Sequence, residues 1–259
     1  MEVIHFGSPN RRPPLLFIHG AFCGAWVWRR LFLPAFAQAG WWGAAISLRG
    51  HGTSEGVEKI NSYGVADYLE DIAEGTRLFD QPPILIGHSL GGYLAQKFAL
   101  DHPVKGLVLL SAPSLLGLQG SMRHIALRKP MLALHLGALI AFGTTHADMR
   151  VIGKALFSDK EEAEKMAAML PLLQRESSRA LQEASWPDFR KPKTQVPTLA
   201  LTGDNDAFVP EFDARYEAHF WNGKSKILRG VSHASMLDSR WTDVAREIMG
   251  WLMGSFPEE

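Results

Sequence analysis

The chain has 259 residues, 27 Lys+Arg against 27 Asp+Glu, and a formal net charge of zero. That balance excludes a strong electrostatic claim on nucleic acid or an acidic membrane, since both need clustered positive charge. At 46% hydrophobic, 21% charged and 10% aromatic residues, the composition excludes a disordered or fibrous chain and allows a large buried core.

Taken from the N-terminus, Met1-Glu2-Val3-Ile4-His5 has neither a basic n-region nor an apolar h-region, so no secretory leader is expected. The apolar runs at 15–18, 43–48, 84–86 and 107–110 are short, bounded by Gly and Pro, and lack polar alternation. Such runs suit strands buried on both faces of a parallel sheet. Helix-like segments at 25–39, 65–79 and 90–101 separate them, giving an α/β class with a mostly parallel, doubly wound sheet. After Ser111-Ala112-Pro113 the rhythm breaks, and helical patterns without a convincing strand run to about residue 195. Strands resume at 198–202 and 226–228, followed by an amphipathic helix over 239–253. The expected organisation is a core in two parts, 1–113 and 196–259, around a helical insertion at 114–195.

The longest apolar stretch, from Met131 to Phe142, is too short to span a bilayer and carries His135. Cys23 is the single cysteine, which allows no intrachain disulfide and no thiolate-rich metal cage. The expectation is a soluble protein of a reducing compartment, the cytoplasm.

The strongest chemical signal is Gly87-His88-Ser89-Leu90-Gly91, a G-x-S-x-G directly after one strand and directly before a helix. A nucleophile on so sharp a turn needs small residues two positions before and after it, and Gly87 and Gly91 meet that need. The turn lifts Ser89 above the sheet, and the helix N-terminus offers unpaired N–H groups to developing negative charge. A serine hydroxyl needs a base. With this elbow the expected order is Ser, then an acid, then His. His233 follows the last strand on a loop at its carboxyl end, where open α/β sheets build their sites. The turn should hold His88 pointing elsewhere, and His135 and His146 should pack or face solvent. The acid should follow the strand at 198–202, where Gly203-Asp204-Asn205-Asp206 offers Asp206, with Asp204 as runner-up. It would fix the imidazole tautomer and stabilise the imidazolium. Oxyanion donors are expected at the backbone N–H of Leu90 and of Ala21, the latter in His19-Gly20-Ala21-Phe22 after the first apolar run.

Together these segments resemble the α/β-hydrolase superfamily over nearly the whole chain. Arg49-Gly50-His51-Gly52-Thr53-Ser54 looks like that family's R-G-x-G-x-S loop, and the insertion falls where the family carries its cap. His19 to Trp28 is similar to the H-G-A-x-x-G-A-W-x-W segment of plant-type methylesterases and hydroxynitrile lyases, and His233-Ala234-Ser235-Met236-Leu237 to their H-x-x-M-[FL]. The resemblance implies ester chemistry. Hydroxynitrile lyases of this type carry a lysine directly after the base, where this chain has Ala234, which disfavours lyase activity. Epoxide hydrolases and haloalkane dehalogenases of the superfamily use an aspartate nucleophile, whereas this elbow holds Ser89.

The insertion is rich in Leu, Met and Phe, among them Met122, Met131, Leu136, Leu139, Phe142 and Met169, which suits an acyl or alkyl pocket. The cluster Arg123, Arg128, Lys129 could contact a phosphate or a coenzyme A tail but reads better as a solvated helix face, as does the run at 160–165. No H-E-x-x-H, G-x-x-x-x-G-K-[ST] or paired C-x-x-C occurs, so neither a metal ion nor a nucleotide cofactor is expected. The expected activity is a cofactor-free serine hydrolase cleaving a small-to-medium hydrophobic carboxylic ester. A thioesterase, lactonase or C–C bond hydrolase would use the same side chains, and a ligand-binding receptor on a hydrolase scaffold would keep them without turnover.

Overall fold

Among the described residues, runs of Leu, Ile, Val and Ala set between Gly and Pro give seven strands: β1 (Glu2–Phe6), β2 (Leu15–Ile18), β3 (Gly43–Ser47), β4 (Ile84–His88), β5 (Gly106–Leu110), β6 (Thr198–Gly203) and β7 (Lys224–Leu228). They form one sheet in the order β1-β3-β2-β4-β5-β6-β7 in the computed structural model, which describes residues 1–158 and 162–257. Strands β2 to β7 pair in parallel and β1 runs antiparallel along β3. The α/β class and the mostly parallel sheet expected from the sequence are what the chain adopts.

β1 has no counterpart in the sequence reading. It is an edge strand, largely half-exposed, so it lacks the continuous apolar run that marks its neighbours. Polar contacts hold it instead: Glu2 N–H donates to Ser54 Oγ at 2.8 Å, and the Glu2 carboxylate accepts from Thr53 N–H at 3.1 Å and from the Ser47 hydroxyl.

Side chains alternate between two faces along each strand. Leu16, Ile18, Ile46, Leu85 and Leu107 pack against α3 (Val65–Thr76) and α4 (Leu90–Asp101), through residues such as Tyr68 and Leu94. Leu15, Phe17, Ile84, Ile86 and Val108 pack on the other side against α1 (Trp26–Arg29) and α2 (Phe32–Gln38), through Trp28, Phe32 and Phe36. The sequence suggests one helix over 25–39, but the chain breaks at Arg30-Leu31. Pro34 lacks the N–H that would reach back to the carbonyl four residues earlier, so it is accommodated only in the first turn of a new helix.

Between β5 and β6 the chain makes α5 (Gln119–Arg128), α6 (Pro130–Phe142), α7 (Met149–Leu156), α8 (Glu162–Met169) and α9 (Ser178–Ala184). Pro130 sits at the start of α6 and separates it from α5, and Ser177 caps α9 by accepting Ala180 N–H. The charged run at 160–165 begins outside the described residues. The last elements are α10 (Glu211–Phe220) and α11 (Trp241–Ser255), whose Val244, Ile248 and Leu252 complete the second core face. Among the described residues no helix is long and apolar enough to cross a membrane.

Candidate active site

The turn from β4 into α4 holds Ser89 at φ 50°, ψ −122°, a left-handed region that L-residues rarely occupy. Glycine makes this turn sterically feasible. A Cβ at Gly87 would lie 2.5 Å from the Gly91 carbonyl oxygen, and one at Gly91 would run into the carbonyls of Ile18 and His19. The strain is maintained because β4 and α4 are buried on both sides of it.

Ser89 Oγ lies 3.1 Å from His233 Nε2, and His233 Nδ1 lies 3.0 Å from each oxygen of Asp206. With Nδ1–H donated to the carboxylate, Nε2 is the free acceptor for the serine proton. Asp206 Oδ1 also accepts Phe208 N–H at 2.8 Å and Val209 N–H at 3.0 Å. Burial disfavours its charge, but the His233 ring and these N–H donors outweigh burial and hold the carboxyl below the usual range. Asp204, the runner-up from sequence, points elsewhere: its Oδ1 accepts Gly230 N–H at 2.6 Å and braces the loop that carries His233.

His88 takes a part the sequence did not reveal. Its Nε2–H donates to the His233 carbonyl at 2.9 Å, and the two rings lie 4.8 Å apart. Burial, with the neighbouring His233, pushes its pKa down to about 3, so it is a neutral brace for the backbone of His233. His135 accepts Asp148 N–H within the insertion, and His146 lies beside Thr145.

The loop after β2 approaches the elbow so closely that a Cβ on Gly20 would stand 3.0 Å from Ser89 Cβ. His19 anchors it by accepting Leu48 N–H at Nε2, 3.0 Å, while Nδ1–H donates to Gly20 O at 2.8 Å. Burial and the adjacent His51 ring push the His19 pKa down to about 3. The N–H of Leu90, first residue of α4, has no intrahelical partner, and among the described residues neither it nor the Ala21 N–H makes a hydrogen bond.

A second polar cluster, which the sequence reading missed, lies beneath this loop. Glu176, between α8 and α9, is buried and accepts Tyr68 O–H at 2.7 Å, Ser177 N–H at 2.7 Å and Phe22 N–H at 3.3 Å. Its Oε2 lies 3.2 Å from His51 Nε2, with side-chain exposures of 1% and 0%. Burial opposes charge on both groups, yet each stabilises the other: the Glu176 pKa is lowered and the His51 pKa raised. Beside them, Gln174 N–H donates to Phe22 O at 3.0 Å, so the insertion clamps the loop from outside.

Above Ser89 opens a cavity of about 160 Å³. Ala21, Leu90 and His233 form its floor, and Leu136, Leu139, Ile152 and Met169 of the insertion form its walls. Of the apolar insertion residues singled out in the sequence, Met122, Leu136, Leu139 and Met169 reach the cavity, whereas Met131 and Phe142 face outward. A site of this kind can pass a proton from a hydroxyl to an imidazole backed by a carboxylate, beside an apolar chamber.

Residues 15–247 match the family model described as "Alpha/beta hydrolase family". Among curated proteins, the chain is 31% identical over 113 residues to bifunctional epoxide hydrolase 2 of Rattus norvegicus, a match covering 42% of this chain and 20% of that protein. Among solved structures, Rv0554 of Mycobacterium tuberculosis superposes with a TM-score of 0.77 at 19% identity, covering 98% of this chain and 93% of that one. A monoacylglycerol lipase of Paleococcus ferrophilus superposes with a TM-score of 0.73 at 22% identity, covering 98% of both. At these identities the structural matches establish a shared fold.

Proposed function

The chain belongs to the alpha/beta hydrolase family, and from that premise we propose that it is a serine hydrolase cleaving small-to-medium hydrophobic carboxylic esters. The observation that carries the reading is the continuous relay from Ser89 Oγ through His233 to Asp206, 3.1 Å and then 3.0 Å, opening into an apolar chamber. Ser89 Oγ attacks the ester carbonyl while His233 Nε2 takes its proton; Asp206 stabilises the resulting imidazolium. The N–H groups of Ala21 and Leu90 hold the oxyanion, each donor being worth about a hundred- to a thousandfold in rate. His233 returns the proton to the leaving alcohol, then takes one from water as it attacks the acyl-enzyme, and Ser89 is regenerated with release of the acid. No cofactor takes part. The helical insertion at 114–195 acts as the cap that shapes the pocket, between core parts 1–113 and 196–259.

Epoxide opening, the activity named for the rat relative, is not the proposed reaction. A serine with a histidine base suits attack on a carbonyl, and the match reaches only a fifth of that protein. The cavity's volume is comparable to engineered apolar cavities of roughly 150 Å³ that hold benzene, which favours a compact acyl or aryl group.

The test is hydrolysis of p-nitrophenyl esters of increasing acyl length by the wild type and by Ser89→Ala. Loss of about a thousandfold or more in kcat for a folded variant is expected. A variant as active as the wild type, or a wild type that turns over no ester, overturns the proposal.

A further inference from the structure

A helix on a protein surface ordinarily shows polar side chains to water, and one that is apolar all round is covered by something. α6 breaks that pattern. Its exposed positions are Pro130, Met131, Leu134, Gly137, Ala141 and Phe142, none of them polar. Leu134 is 63% exposed and Phe142 65%; Leu127 at the end of α5 is 73% exposed. His135 is the only polar side chain on the helix, and its Nδ1 is occupied by Asp148 N–H.

The zero net charge that speaks against an acidic membrane for the chain as a whole conceals a strongly segregated segment, whose cations the sequence alone reads as a solvated face. From residue 102 to residue 147 there is no Asp or Glu, while Arg123, Arg128 and Lys129 lie on or beside α5, exposed. These three form no ion pair among the described residues. An outward apolar ridge edged by Arg123, Arg128 and Lys129, with Asp148 beside it paired to Arg150 and the adjoining Asp213 buried, is complementary to an anionic lipid surface, whose headgroups attract the cations while the acyl boundary accepts the ridge. A second copy of this chain fits poorly, because a face-to-face contact would bring the same cations together, with no acid of the segment itself to meet them.

We propose that the α5–α6 hairpin docks on anionic lipid bilayers. Met122 of α5 lines the cavity and is 39% exposed, so one wall of the pocket belongs to this hairpin. Docking therefore brings a wall of the pocket to the lipid, and a membrane-dissolved ester is the substrate class it favours. That catalytic consequence rests on the ester-hydrolase reading; the docking does not.

The experiment is flotation of the full chain with vesicles of phosphatidylcholine containing phosphatidylglycerol, against vesicles of phosphatidylcholine alone. Selective binding to the anionic vesicles, weakened by added salt, is expected. Met131→Glu and Leu134→Glu, neither of which lines the cavity, should each weaken it about tenfold. Arg128→Gln should weaken it about fivefold. Thermal melting and hydrolysis of water-soluble p-nitrophenyl acetate should match the wild type in all three. Equal binding to both vesicle types, or undiminished binding by Leu134→Glu, overturns the proposal. So does a concentration-dependent dimer in solution that Leu134→Glu abolishes, which would assign the face to a second copy. A wild type that floats with anionic vesicles yet cleaves no ester would uphold the docking and sink the hydrolase reading alone.

Discussion

Two aspartates stand two positions apart in the loop after β6, and only one of them reaches the imidazole. Asp206 meets His233 with both oxygens, while Asp204 is engaged with Gly230 N–H. Asp206→Asn is therefore expected to lower kcat about ten-thousandfold with little change in KM, by presenting the wrong tautomer to Ser89. Asp204→Asn should cost far less, and steady-state kinetics giving the two variants equal losses would refute the assignment. The sequence preferred Asp206 with Asp204 as runner-up in the same loop, and what it could not supply was the side-chain direction after the turn that puts Asp206 beside His233. Glu176 was not legible at all. It lies between Arg175 and Ser177 with no motif around it, and its partners Tyr68, His51 and Phe22 are remote in sequence.

At the scale of elements, the β4–α4 elbow meets the end of β2 and the loop after it backbone on backbone at Gly91, with no room there for a side chain. Gly91→Ala would push a methyl group into the Ile18 and His19 carbonyls, which no flexible side chain can relieve. It should destabilise the fold by about 1–3 kcal/mol and impair ester turnover beyond that loss. Gly120→Ala, in α5 with nothing within 4 Å of the added Cβ, should be neutral or stabilise by up to about 1 kcal/mol. Urea denaturation of the two variants makes the comparison, and equal effects would show that the elbow has slack. Buried strands and α4 were readable because their signals are local: apolar runs, and an elbow motif with fixed neighbours. β1 and the break between α1 and α2 were not, since an edge strand has only a partial apolar pattern and a single Pro34 interrupts an otherwise continuous helical periodicity.

For the molecule as a whole, the buried Glu176–His51 pair joins the insertion to the core, so its titration is a property of global stability. Glu176 has its pKa lowered on folding, and this contribution is present above its ordinary value of 4.5 and lost as pH falls through the folded value. His51 has its pKa raised, and its contribution is complete below 6.5 and lost as pH rises through the folded value. Both act together between about pH 4.5 and 6.5. Glu176→Gln, which leaves the buried imidazole without its anion, should cost about 3 kcal/mol in that window and less as pH rises above it. Thermal or urea unfolding across pH would reveal this, and a pH-independent penalty would show that the pair is not ionised. β5 and β6 lie side by side in the sheet, although the entire insertion separates them along the chain. The excursion thus leaves and returns through adjacent gates, and its length leaves no trace in the sheet register. Changes to the chamber walls at Leu136, Leu139 or Ile152 therefore need not shift Ser89, Asp206 or His233, whereas a change that removes Glu176 reaches the core through His51.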